Sequence, residues 1–159
     1  MSEDNALWNF VLKIYSDRQV ATTCLQLQDN FGLNINRVLF ALWLAERGRE
    51  LVPEVLDDPA LCQWTATITE PLRRYRYEVR YSYPQPRETL VDDFYQQLKS
   101  VELAAEKSEL ALLFKMTAIC PKSSKTLTQL GRHNLQRYLH DCGVEMTPDL
   151  QEMCDILIG

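Results

Sequence analysis

Between Leu72 and Tyr83 the sequence reads Arg73-Arg74-Tyr75-Arg76-Tyr77-Glu78-Val79-Arg80-Tyr81: four arginines against one glutamate, a local charge of +3 in a 159-residue chain whose net charge is −5. Guanidinium groups grip phosphates and carboxylates in a fixed fork, and tyrosine rings stack on exposed bases or fill protein interfaces. If the segment is helical, Arg73, Arg76, Tyr77 and Arg80 share one side, with Tyr81 adjoining, which makes these five the candidate partner-binding residues. An internal explanation competes with recognition. The next stretch carries Glu88, Asp92, Asp93, Glu102, Glu106 and Glu109 against Lys99 and Lys107, so an antiparallel packing would set the arginines against carboxylates.

A second polar group, Gln28, Asp29, Asn34, Asn36 and Arg37, is of the kind that lines a small-molecule pocket, with Trp43 as an aromatic wall. Helix capping by Asn34 and turn formation by Asp29 account for the same residue types without a ligand. His133 and His140 are separated by two helical turns, about 10 Å, which is too far for one metal ion, and Arg137 lies between them. No glycine-rich phosphate loop, Gly-x-Ser-x-Gly elbow or His-Glu-x-x-His pair occurs. Cys24, Cys62, Cys120, Cys142 and Cys154 are odd in number and form no Cys-x-x-Cys pair, which is the pattern of reduced, mostly buried thiols. No catalytic residue, cofactor or metal follows from the sequence.

Positioning these groups falls to helices. The length suits a single domain spanning residues 1–159, and the composition is that of a globular chain. Asp4 or Asn5 can cap a first helix carrying Leu7, Val11 and Ile14. Asp17 can cap a second, which carries Val20, Cys24, Leu27 and Phe31 and stops at Gly32. Asn34 opens a third, apolar on nearly all sides, which should run through the core. Asp58-Pro59 starts another. Pro84-Gln85-Pro86 breaks the chain, and a long helix follows with Val91, Phe94, Leu98, Val101 and Ala105 inward, continuing towards Met116. Thr126 to about Cys142 and Thr147-Pro148 onward supply the last two. The fold class expected is all-α, a compact bundle of six or seven helices.

Residues 64–83 fit two patterns. Trp64, Ile68, Leu72, Tyr75 and Val79 form a helical seam, in which Pro71 should cause a bend. Arg74 to Ser82 also alternates as a strand does, which would give a β-hairpin across Glu70-Pro71. With no other sheet to cover such a hairpin, the helix is the preferred reading.

Asn5-Ala6-Leu7-Trp8-Asn9-Phe10-Val11-Leu12-Lys13-Ile14-Tyr15, then Cys24-Leu25-Gln26-Leu27-Gln28-Asp29, Gly32-Leu33-Asn34-Ile35-Asn36 and Leu39-Phe40-Ala41-Leu42-Trp43-Leu44, resemble a family of small helical proteobacterial proteins known only as a domain of unknown function. Trp64 followed by Pro71-Leu72-Arg73 is similar too. The likeness runs over about residues 5 to 80 and departs at Arg74 to Tyr83. It implies a helical cytoplasmic bacterial protein and transfers no functional residue.

The acidic start lacks a secretory pattern, and no stretch reaches the ~18–20 uncharged residues of a membrane span. The expected function is a non-catalytic interaction or adaptor protein of a cytosolic bacterial complex, engaging a protein partner through the Arg/Tyr face. RNA or ribosome association through that face is the first alternative. A helical small-molecule-binding protein or enzyme with a pocket near Asn36 and Trp43 is the second. No membrane partner is expected, and the sequence leaves the oligomeric state open.

Overall fold

The computed structural model describes residues 6–159; Asp4 and Asn5, the expected first cap, lie outside the described residues. The helices are α1 (Ala6–Tyr15), α2 (Arg18–Phe31), α3 (Ile35–Glu46), α4 (Pro59–Trp64), α5 (Glu70–Ser82), α6 (Thr89–Lys115), α7 (Leu127–Asp141) and α8 (Pro148–Ile158). Short 3₁₀ turns occupy Pro53–Asp57 and Thr117–Ile119. A π turn over Thr65–Thr69 joins α4 to α5 as one rod, so the bundle has seven rods among the described residues. Residues 64–83 are thus helical, not a hairpin. Extended pairing among the described residues is limited to one antiparallel bridge, Arg49 to Lys122. No helix among them is long and apolar enough to cross a membrane.

Local chemistry sets most of the helix starts. Asp17 accepts from the Gln19 and Val20 amides at 2.8 and 3.3 Å, and Asn34 accepts from the Arg37 amide at 3.2 Å. Asp58 and Thr147 do the same for α4 and α8, each with proline at the first helical position. Thr126 and Gln129 close a reciprocal capping box on α7. These contacts satisfy amides that the first turn leaves without intrahelical partners. Gly32 ends α2 at φ 64°, a left-handed conformation that residues with a Cβ rarely adopt.

The core forms around α3, ten of whose twelve residues are buried. It packs most extensively on α7, with α6, α1 and α2 around it. Asn134 on α7 is fully buried and fully used: it donates to the carbonyls of Ala41 and Arg49 at 3.1 and 3.0 Å and accepts from the Leu51 amide at 2.8 Å. One side chain therefore fastens α7 to both α3 and the loop beyond it.

The π turn changes which face of the rod looks inward. Leu61, Thr65 and Thr69 are buried, and after them Arg73 and Arg76 point towards α6. The apolar seam expected from uninterrupted spacing fails beyond Trp64. Ile68 and Tyr75 are exposed, and α5 has no buried residue at all. A π turn holds one extra residue, so everything beyond it is displaced by about 100° relative to a plain α-helix. Pro71 supplies a reason for its position. It lacks an N–H and its ring crowds the carbonyl four residues back, a conflict relieved by widening the preceding turn.

Helix α6 corrects a second expectation. Its buried residues are Tyr95, Leu98, Glu102, Ala105, Glu109, Leu110 and Leu113, whereas Phe94 and Val101, expected inside, are exposed. Two carboxylates therefore occupy positions that a sequence pattern assigns to apolar side chains.

Candidate functional site: the arm formed by α5 and α6

Helices α5 and the first half of α6 run antiparallel and are held by ions. Glu102, only 4% exposed, accepts from Arg73 Nε at 3.3 Å, from Arg76 Nη2 at 3.1 Å and from Arg76 Nε. Arg73 Nη2 also reaches Glu106 at 3.1 Å. Burial opposes the charge on Arg73, but Glu106 and Glu102 outweigh it and hold the guanidinium protonated. For Arg76 the hydrogen bond to Glu102 dominates in the same direction. Burial pushes the Glu106 carboxyl above its usual range against the pull of Arg73, with Glu102 and Glu109 adding to the rise. Of the arginines on the expected basic face, two are thus spent inside the fold. Arg74, Arg80 and Tyr81 face solvent, Tyr81 being 75% exposed.

The arm root meets the other polar group. Gln28 Nε2 donates to Tyr77 Oη at 2.8 Å, Asn36 Nδ2 to the Glu106 carbonyl at 3.4 Å, and Asn34 Nδ2 to Glu109 Oε1 at 3.0 Å. Two clusters that are separate in sequence therefore form one junction between α2, α3, α5 and α6. Asp29 and Arg74 border an open cavity of about 360 Å³ there, together with Gln28, Asn34, Arg73 and Tyr77. Asn36, Gln28, Arg73 and Glu106 line a second, more apolar cavity of about 210 Å³ beside Trp8 and Tyr15. Arg37 turns instead towards Cys62, its Nη2 lying 3.9 Å from the sulfur. Among the described residues four buried polar atoms have no hydrogen-bond partner: Arg37 Nε, Thr65 Oγ1, Thr69 Oγ1 and Glu109 Oε2. The threonines belong to the π turn, a feature enriched at functional positions.

Trp43 does not join this group. Two turns along α3 from Asn36, it meets Phe10 edge-on and Phe114 at a tilt, and donates from Nε1 to Thr117 Oγ1 at 3.3 Å. The single pocket expected near Asn36 and Trp43 is thus two separate places.

The arm also carries an apolar side, part of which was expected inside. Tyr75 on α5, Tyr83 at its end, and Leu90, Phe94 and Val101 on α6 are all more than half exposed, Leu90 reaching 82%. Measured from the lines where the helices meet (Arg73–Arg76 and Glu102–Glu106), Tyr75 and Val79 are offset by roughly 90–130° and Leu90, Phe94 and Val101 by roughly 100–140°, in the same rotational sense. In an antiparallel pair the same sense means the same side. The two stripes lie on one side of the arm. Sequence periodicity had assigned Tyr75, Val79, Phe94 and Val101 to the interior and had not singled out Leu90 or Tyr83.

His133 Nε2 lies 3.8 Å from Glu50 and His140 is exposed. Cys24, Cys120 and Cys154 are buried free thiols, while Cys142 is exposed. Among the described residues no group of three or more His, Cys, Asp or Glu is arranged to hold a metal ion.

Fold and site together define an all-helical protein with a two-helix arm rooted in a polar junction. The chain belongs to the family described as protein of unknown function (DUF2390), whose model matches residues 6–113. No curated protein and no solved structure matches it. The match covers α1 to α5 and most of α6, including every residue of the junction and the arm, while α7 and α8 lie beyond it.

Proposed function

We propose that the protein is a non-catalytic interaction module of a cytoplasmic bacterial complex, and that it engages its protein partner through the apolar side of the α5–α6 arm. One observation carries the reading: Tyr75, Leu90, Phe94 and Val101 are all more than half exposed, on one side of a two-helix layer by helical phase. Contiguous apolar patches of more than a few hundred Å² are uncommon on monomeric proteins and mark docking sites. A two-helix layer buries such a face by receiving further helices, as the halves of a bundle do. Tyrosine and phenylalanine supply large rigid contact area at interface centres.

The partner surface on this reading is apolar and helical, not acidic. Arg73 and Arg76 are held by Glu102 and Glu106, so they fasten the arm and do not reach out. Tyr75→Asp combined with Phe94→Asp should abolish capture of the partner from native bacterial cytosol without changing the circular dichroism spectrum. Arg74→Glu with Arg80→Glu should leave capture nearly intact. The reverse pattern would return the basic face, and with it the RNA alternative, to first place. Capture insensitive to both pairs would sink the arm as the docking element.

A further inference from the structure

A cavity of about 460 Å³ lies at the opposite end of α6 from the arm tip, and its described lining is Ala6, Trp43, Arg47, Arg49, Phe114, Lys115, Thr117, Ala118 and Lys122. Four of these nine residues are cations and none is a carboxylate, in a chain whose net charge is −5. They come from three separate segments: the end of α3, the end of α6, and the loop that the Arg49–Lys122 bridge draws back against α3. Arg73, Arg76, Arg87, Lys125 and Arg132 pair with carboxylates, and cations such as Arg74 and Arg80 stand singly in solvent; this cavity instead gathers four cations around one concavity. Here Arg47 stacks on Trp43, its guanidinium carbon 4.3 Å from the ring centroid, and Arg49 donates to the Cys120 carbonyl at 2.7 Å. Among the described residues Arg47, Lys115 and Lys122 form no salt bridge.

Cations at helix C-termini have a simpler use, because each terminus carries about half a negative charge. Two termini, those of α3 and α6, meet this cavity, and together they offset only about one of its four positive charges. The excess is unmatched within the described fold. Glu50, the nearest acidic residue in sequence to Arg49, is already engaged by Lys125 and Ser123.

We infer that this cavity is a binding site for a small organic phosphate bearing at least two negative charges. The Arg47 fork and the Lys115 and Lys122 ammonium groups receive the phosphate, and Phe114 and the edge of Trp43 form the wall for the ligand's apolar or planar part. Fork geometry and point charge are complementary ways of holding phosphate oxygens. The volume falls within the ~300–1,000 Å³ typical of small-molecule sites. A single basic concavity suits a monomeric anion, whereas a nucleic acid strand needs a cationic track along its backbone.

Isothermal titration calorimetry at ~50 mM salt with adenosine monophosphate, inorganic pyrophosphate and uncharged adenosine tests the assignment. Both anions should bind saturably at one site per chain, with adenosine at least about tenfold weaker. Lys115→Glu with Lys122→Glu should weaken the anions by at least about tenfold, while these surface changes leave the melting temperature of the free protein nearly unaltered. Because Glu3 and Asp4 precede Ala6 in the chain, Glu3→Gln with Asp4→Asn should leave affinity equal or raise it. Absence of saturable binding by either anion, equal binding of adenosine, or affinity indifferent to the lysine reversals would each overturn the site. So would tight binding of single-stranded RNA without binding of the monophosphate.

Discussion

Glu102→Ala should release the arm while leaving the body folded. Glu102 is the carboxylate shared by Arg73 and Arg76, and α5 buries no residue of its own, so the ionic contact is its main fastening to α6. Removing one partner of a buried pair costs ~3–5 kcal/mol, because the remaining charge stays desolvated and unpaired. Arg73 keeps Glu106 at 3.1 Å, which places the expected loss near the lower limit. A loss of ~3 kcal/mol corresponds to more than a hundredfold faster amide exchange wherever the arm opens independently. Native-state hydrogen exchange should therefore show that acceleration over residues 73–82, with α3 and α7 unchanged. Glu102→Leu combined with Arg76→Met should be milder than Glu102→Ala, since an apolar pair leaves one fewer charge stranded. Exchange of the arm within about threefold of the parent protein, or equal damage from the double variant, would refute the account of how α5 is held.

Other consequences concern the body and the junction. Asn134→Ala removes three buried hydrogen bonds and strands the Leu51 amide, so urea unfolding should show a loss of about 3 kcal/mol, and a loss below 1 kcal/mol would contradict its role. Gly32→Ala meets open space but must adopt φ +64°, so it should cost about 1 kcal/mol, with Gly32→Asn costing less. Burial raises the Glu106 carboxyl above its unfolded value of 4.5, so its contribution favours the fold below that pH and is lost as pH rises through the raised value. The stability of the parent relative to Glu106→Gln should therefore fall from pH 4.5 upward, and a difference that grew with pH would reverse the sign of this argument.

The helix starts at Asp17, Asn34, Asp58 and Thr147 were legible in the sequence because capping is settled within three or four residues. The central position of α3 was legible too, since nine apolar residues in twelve leave a helix almost no polar side. The inward faces of α5 and α6 were not. Periodicity places apolar side chains inside and carboxylates outside; charge balance across the Pro84–Pro86 break did anticipate arginines set against carboxylates, as Arg73 and Arg76 are on Glu102 and Glu106, but not that Glu102 would be buried. Asn134 looked like any polar residue on a helix surface. The cations around Trp43 were hidden for another reason: each stands near a helix end or in a loop, where a lone Arg or Lys is ordinary, and only the fold gathers them. The family likeness, read from residues 5 to 80, extends to 113 and takes in most of α6.

The π turn at Thr65–Thr69 gives this chain two possible phases for its arm. Wound as an uninterrupted α-helix, the same rod would turn the arm by about 100° and bring Ile68, Leu72, Tyr75 and Val79 against α6, expelling Arg73 and Arg76. The observed phase does the opposite: it pairs ions internally and leaves the greasy stripe outside. One residue is the difference between them. Shortening the π turn by one position would lock the present phase into plain helix, whereas smoothing the turn at constant length would swap a sticky arm for a basic one.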